Sequence, residues 1–233
     1  MKQASDLYIP FEWERRRPIL LEKCLYVPDH YDGHDQLAID WNDPAVFEKK
    51  QPLVVEYCSG NGQWIAMMAK QNPLLNWVAV EMDFERARKI WLKIFRQNLP
   101  NLFVVYGEGL TFSRHYLPDK SVHEAYVNFP DPWPKRRHAK HRLISDAFVS
   151  EMDRILQPGS SAILTTDDAA YSDWIIRRFS QWQSAFAPMQ YTTEWPSFGD
   201  SYFYSLWLGQ QRTIRFHRFI SKKVRGEVRG RGI

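Results

Sequence analysis

The chain of 233 residues has only two cysteines, Cys24 and Cys58, so one disulfide at most can form. Neither cysteine has a second cysteine or a histidine at the spacing of a structural zinc site. A reducing compartment and no metal are the expectation. Glycine is scarce, with 11 residues, and even together with 14 prolines it excludes a collagenous or low-complexity chain. No segment approaches the roughly 18 consecutive apolar residues of a membrane helix. The opening Met1-Lys2-Gln3-Ala4-Ser5-Asp6 also lacks the apolar centre of a signal peptide. Together these absences predict a cytoplasmic protein with no membrane partner, long enough for one generous domain and a full core.

Net charge is small too, 31 Lys+Arg against 27 Asp+Glu, so its placement matters more than its size. Residues 212–233 hold eight Lys/Arg against Glu227 alone, which leaves the rest of the chain mildly acidic. A second run, Lys135-Arg136-Arg137-His138-Ala139-Lys140-His141-Arg142, contains no acid. One basic tail is most simply a solvated end, whereas two clusters in separate places suggest a track for an anionic polymer.

Residues 1–45 show no sustained period and read as an arm packed on the body. From residue 52 the pattern changes. Leu53-Val54-Val55-Glu56 is a short apolar run closed by the turn Cys58-Ser59-Gly60-Asn61-Gly62, and a helical run from Gln63 to Gln71 follows. Trp77 to Glu81 repeats the strand signal, and Phe84, Ala87, Trp91, Ile94 and Phe95 then fall at helical spacing. Further strands are expected at Leu102 to Tyr106, Ala125 to Phe129 and Ser161 to Thr165, the last after a helix closed by Gln157-Pro158-Gly159. Beyond it Ala169 to Trp182 reads as helix, Met189 to Thr193 as extended, Tyr202 to Leu208 as ambiguous and Thr213 to Phe219 as a final strand. This alternation predicts an α/β domain over 46–220, mostly a parallel sheet with helices on both faces, followed by a disordered basic tail from 221.

In such a sheet the ligand crevice lies beyond the carboxyl ends of the strands. Glu56, Glu81, Glu108 and Asp131 stand at or just past four of those ends. Any one of them could be a helix cap or a solvated group; four in equivalent places are more than a surface requires. Gly60 and Gly62 supply two glycines of a dinucleotide fingerprint, but Trp64 and Ile65 stand where the third would be. Glu81 suits the acid that accepts hydrogen bonds from ribose hydroxyls. Pyrophosphate disfavours an acid-rimmed crevice, while the sulfonium and ammonium of S-adenosylmethionine are attracted to one. The methyl donor is therefore preferred over NAD.

The most informative segment is Asn128-Phe129-Pro130-Asp131-Pro132-Trp133-Pro134-Lys135. Three prolines in five residues make neither helix nor ladder, so they build a stiff projecting loop. Trp133 offers a stacking face for a base and Lys135 a phosphate contact. The stretch NFPDPWPKRRHAKHR resembles the signature loop of the tRNA (guanine-N7)-methyltransferases, and VVEYCSGNGQW, VAVEMDFERARK and the TDD at 166–168 follow that family in order and spacing. The resemblance spans roughly residues 50–185 and implies a Rossmann-like class I methyltransferase fold of seven strands. It also implies S-adenosylmethionine as cofactor and, as acceptor, the guanosine at position 46 in the variable loop of tRNA. On the same footing Glu56, Gly60, Gly62, Glu81, Glu108 and Asp131 line the cofactor, with Asp131 also the catalytic acid. Lys135 and Asp167 would meet the substrate.

Two departures stand out. The family more often has Asp at the position of Glu108. Its tail motif, Thr-x-Phe/Tyr-Glu, is represented by Ser201-Tyr202-Phe203-Tyr204, so Ser201 replaces the Thr and Tyr204 stands where the Glu would contact guanine. Two rivals stay open: an adenine-N6 type amino-methyltransferase, since Asn128-Phe129-Pro130-Asp131 loosely matches the loop that holds an exocyclic amine, and a non-catalytic RNA-binding protein on the same fold. Either a monomer or a homodimer is compatible with the sequence.

Overall fold

The computed structural model describes residues 2–8, 12–187 and 189–222. Two short strands, β1 (Ile19–Leu21) and β2 (Cys24–Tyr26), come first. They are followed by β3 (Leu53–Tyr57), α1 (Gln63–Gln71), β4 (Asn76–Glu81), α2 (Phe84–Arg96), β5 (Leu102–Tyr106), α3 (Gly109–Tyr116) and β6 (Val122–Asn128). The chain continues through α4 (Asp146–Ile155), β7 (Leu156–Thr166), α5 (Ala169–Ser180), β8 (Gln190–Thr192), α6 (Tyr202–Gly209) and β9 (Arg215–Ile220).

One sheet takes all the strands in the order β1-β2-β5-β4-β3-β6-β7-β9-β8. The strands from β2 to β7 run parallel, and β9 enters antiparallel between β7 and β8. The expected seven strands are present from β5 across to β8, and the sheet is extended to nine by the β1–β2 hairpin on the β5 edge. Three-residue strands are too short to show a period, so residues 19–26 gave no strand signal. Side-chain caps fix other boundaries. Ser201 Oγ accepts from the Tyr204 N–H at 3.1 Å, which settles the ambiguous aromatic stretch as helix α6. The helix expected to end at Gln157-Pro158-Gly159 stops at Ile155, and those three residues already belong to β7. Residues 136–141 of the basic run form a separate 3₁₀ turn, and α4 starts afresh with Ser145 as its cap. The expected tail lies, from Lys223 on, outside the described residues. Among those residues no helix is long and apolar enough to cross a membrane.

Alternation along the strands sends side chains into two cores. Val55, Tyr57, Val78, Val80, Phe103 and Val105 face α3, α4 and α5, where Phe112, Phe148, Met152 and Ile175 are fully buried. Val54, Trp77, Ala79, Leu102 and Val104 face α1 and α2, against Ile65, Ile90 and Trp91. The second core also holds the C-terminal segment to the body. Trp64 on α1 packs its ring at 4.9 Å from Tyr126 and 5.4 Å from Phe198, and its Nε1 donates to the Phe198 carbonyl at 2.5 Å. Trp64→Ala deletes a 3 % exposed indole and leaves that carbonyl unpaired, so it is expected to lower stability by about 3–5 kcal/mol. Urea unfolding measures it, and a loss below about 1 kcal/mol would show that the segment is held elsewhere.

Candidate active site

The turn after β3 sets the floor of the crevice. Cys58, Gly60 and Gly62 have φ of 61°, 54° and 68°, so the chain reverses sharply before α1. A side chain at Gly62 would place its Cβ 2.5 Å from Ile90 Cγ1, which reserves the position for glycine and lets α1 close on α2. Gly60 has more room, its nearest neighbour on that side being Phe203 at 3.9 Å. Its N–H donates to Glu81 Oε2 at 2.7 Å, while Glu81 Oε1 accepts from the Asp83 N–H at 2.9 Å. Glu81 thus ties the glycine turn to the start of α2, and burial raises its pKa.

Glu56 lies under the same turn, 1 % exposed. Asn128 Nδ2 donates to its Oε1 at 2.7 Å, and Oε2 has no partner among the described residues. Asn128 Oδ1 and Thr165 Oγ1, at the adjoining ends of β6 and β7, are likewise buried and unmatched. Loss of hydration pushes the Glu56 carboxyl up to about 7, opposed by the hydrogen bond from Asn128, while the Ser59 hydroxyl donates to the Glu56 backbone carbonyl at 3.1 Å. Glu108 caps α3, its two oxygens accepting from Leu110 N at 3.0 Å and Thr111 N at 2.6 Å. Burial first, and then the charges of Glu81, Glu56, Asp131 and Glu108, push the Cys58 thiol up. Glu56, Glu81, Glu108 and Asp131 thus stand at or just past the carboxyl ends of β3, β4, β5 and β6.

Asp131 and Lys135 are exposed, and neither side chain makes a hydrogen bond or ion pair among the described residues. Their loop has two non-glycine residues at positive φ, Phe129 at 50° and Trp133 at 40°. The other candidates are engaged. Asp167 pairs with Arg212 at 2.5 Å, Ser201 caps α6, and the Tyr204 ring packs 5.3 Å from Phe198. The residue of α6 that reaches the crevice is Phe203, beside Gly60 and 6.2 Å from the Phe129 ring. Nothing in the sequence singled it out, because the motif draws attention to its neighbours Ser201 and Tyr204.

The family model described as "Putative methyltransferase" matches residues 50–198. A tRNA (guanine-N(7)-)-methyltransferase of Chlamydia felis is 41 % identical over 221 residues, covering 94 % of this chain and 98 % of that protein. The chain belongs to the tRNA (guanine-N7)-methyltransferase family. A member from Limosilactobacillus reuteri is 35 % identical and covers 66 % of this chain and 75 % of its own. Among solved structures the 16S rRNA methyltransferase KamB superposes with a TM-score of 0.55 at 18 % identity, over 76 % of this chain and 90 % of that one. That likeness establishes the class I methyltransferase fold.

The buried acid gives a pH signature. In the unfolded chain Glu56 ionises near its ordinary 4.5, whereas the folded protein holds the proton up to about 7. A raised acid pKa is a contribution present below 4.5 and lost as pH climbs through about 7. Glu56→Gln keeps the bond from Asn128 without titrating, so it should gain stability over the wild type between pH 5 and pH 8 as roughly bracketing values. Urea melts at both values decide it; parallel changes in the two proteins would mean that the carboxyl ionises normally.

Proposed function

We propose that this enzyme transfers the methyl group of S-adenosylmethionine to N7 of guanosine 46 in the variable loop of tRNA. The observation that carries the reading is the Asp131 loop. An exposed acid and an exposed base, neither side chain paired among the described residues, flank an indole in the loop that follows β6. The names of the relatives and the shared fold support it.

The crevice suits the donor chemically. An ammonium brings three hydrogen-bond donors and a positive charge to a place where Glu56, Asn128 and Thr165 hold unmatched acceptor atoms, and it favours the ionised form of Glu56. Glu81 has lone pairs left for ribose hydroxyls after accepting two backbone N–H groups. S-adenosylmethionine, when bound, supplies a methyl group made electrophilic by its sulfonium. Guanine N7 carries a lone pair and no proton, so alignment rather than a strong base is what the protein must provide. In this reading Asp131 holds the guanine edge and offsets the positive charge that grows on the ring as the nitrogen–carbon bond forms. Lys135 and the exposed part of the basic run meet phosphates, and Phe203 with Phe129 borders the glycine turn.

Labelled methyl incorporation into unmodified tRNA transcripts with G or A at position 46 tests the reading. Transfer to the G transcript alone is expected. Transfer to both would move the target, and transfer to neither would leave an RNA-binding protein. Asp131→Asn should lower single-turnover rate by roughly 10²-fold with an unchanged melting point and tRNA affinity. A near-normal rate would make Asp131 a turn residue. Lys135→Ala should reduce the slope of log K against log salt by about 0.7–0.9, the value for one phosphate contact. An unaltered slope would place Lys135 away from the RNA.

A further inference from the structure

The basic run reads as a uniform set of phosphate contacts, yet its last member is turned the other way. Arg142 Nε donates to the Pro132 carbonyl at 2.7 Å and Nη2 to the Trp133 carbonyl at 3.1 Å. The guanidinium carbon lies 4.6 Å from the centre of the Trp174 ring and 5.5 Å from that of Tyr171. Both aromatic residues belong to α5, where Tyr171 is 1 % exposed and Trp174 Nε1 donates to the Ile144 carbonyl at 2.7 Å. Arg142 therefore joins the projecting loop to a rigid helix through two hydrogen bonds and two ring faces.

We propose that Arg142 is a positioning residue that fixes the direction of Asp131. The inference rests on the function proposed above. Pro130, Pro132 and Pro134 have no N–H, so the loop can be anchored through its backbone chiefly by what its carbonyls accept. Arginine suits such an anchor because its planar fork carries five donors, two of which reach neighbouring carbonyls at once. Phe129 and Trp133 at positive φ need such support, since non-glycine residues keep that conformation only where the surroundings impose it. Arg142 grips the two carbonyls that follow Asp131. The acid is thus held from its C-terminal side, without a contact to its own carboxylate.

Arg142→Lys preserves charge while losing the fork, and Arg178→Lys is the control. Arg178 also lies over Trp174, at 4.1 Å, but its hydrogen bonds go to Asp146 rather than to the loop. The expected result is a fall in kcat of roughly tenfold or more for Arg142→Lys. KM for tRNA, tRNA affinity and the salt slope should stay at wild-type values, and Arg178→Lys should be unchanged throughout. A readout independent of turnover is fluorine NMR of protein labelled with 5-fluorotryptophan, the Trp133 signal being assigned through Trp133→Phe. That signal should shift or broaden in Arg142→Lys and stay put in Arg178→Lys. An unmoved Trp133 signal together with wild-type kcat would overturn the proposal, as would a raised KM and a lower salt slope at wild-type kcat, which are the marks of a phosphate contact. If the wild type methylates no tRNA, the functional reading fails by itself and the fluorine signal still decides the latch.

Discussion

Two backbone N–H groups, those of Gly60 and Asp83, converge on the one buried carboxylate of Glu81. Nearly everything at the carboxyl end of the sheet hangs on that convergence. Residues 58, 60 and 62 all sit in the left-handed region, so the turn between β3 and α1 needs an outside anchor to hold one shape. Glu81 provides it from the neighbouring strand, while its own carbonyl accepts from the Gly107 N–H at 3.0 Å and ties in the third strand end. Three consecutive parallel strands thereby finish at one level. The price is a carboxylate largely removed from water, which two N–H donors partly offset.

The central part of the fold was legible because parallel strands covered on both faces are nearly unbroken apolar runs, as Leu53–Tyr57 and Leu102–Tyr106 are. What escaped was structure too short or too uniform to carry a period. The hairpin at 19–26 is recognisable only through its pairing with β5, eighty positions away, and α6 is apolar on nearly every side. For the hairpin a long-range partner, not local preference, decides the outcome, whereas α6 is settled by the Ser201 cap.

For the site, residue type and spacing were enough to place Glu56, Glu81, Glu108 and Asp131 at or just past strand ends. Their separate environments were not readable. Glu108 satisfies the first turn of α3, Glu56 is held without water, and Asp131 is left in it. Asp167 is paired by an arginine 45 residues further on, a contact that no spacing rule suggests. The basic run shows the same limit: Lys135, Arg137 and Lys140 are exposed, while Arg142 faces inward because two carbonyls and two aromatic rings await it. Charge can be counted in a sequence, but the direction of a side chain depends on what the fold sets around it.

The placement of β9 between β7 and β8 bears on the order in which this chain can be assembled. β8 precedes β9 in the sequence but pairs with β9, and β9 alone carries the register on to β7. During synthesis the edge strand must wait, already made, until Arg215–Ile220 has emerged to seat it. The opposite edge behaves alike, for β2 waits for β5. A ribosome-bound chain is thus expected to build its parallel centre first and to close both margins late. Until then the aromatic segment at 195–207 has Trp64 and Phe129 to lie against but lacks Phe216 of β9, against which Trp195, Phe198 and Tyr204 finally pack.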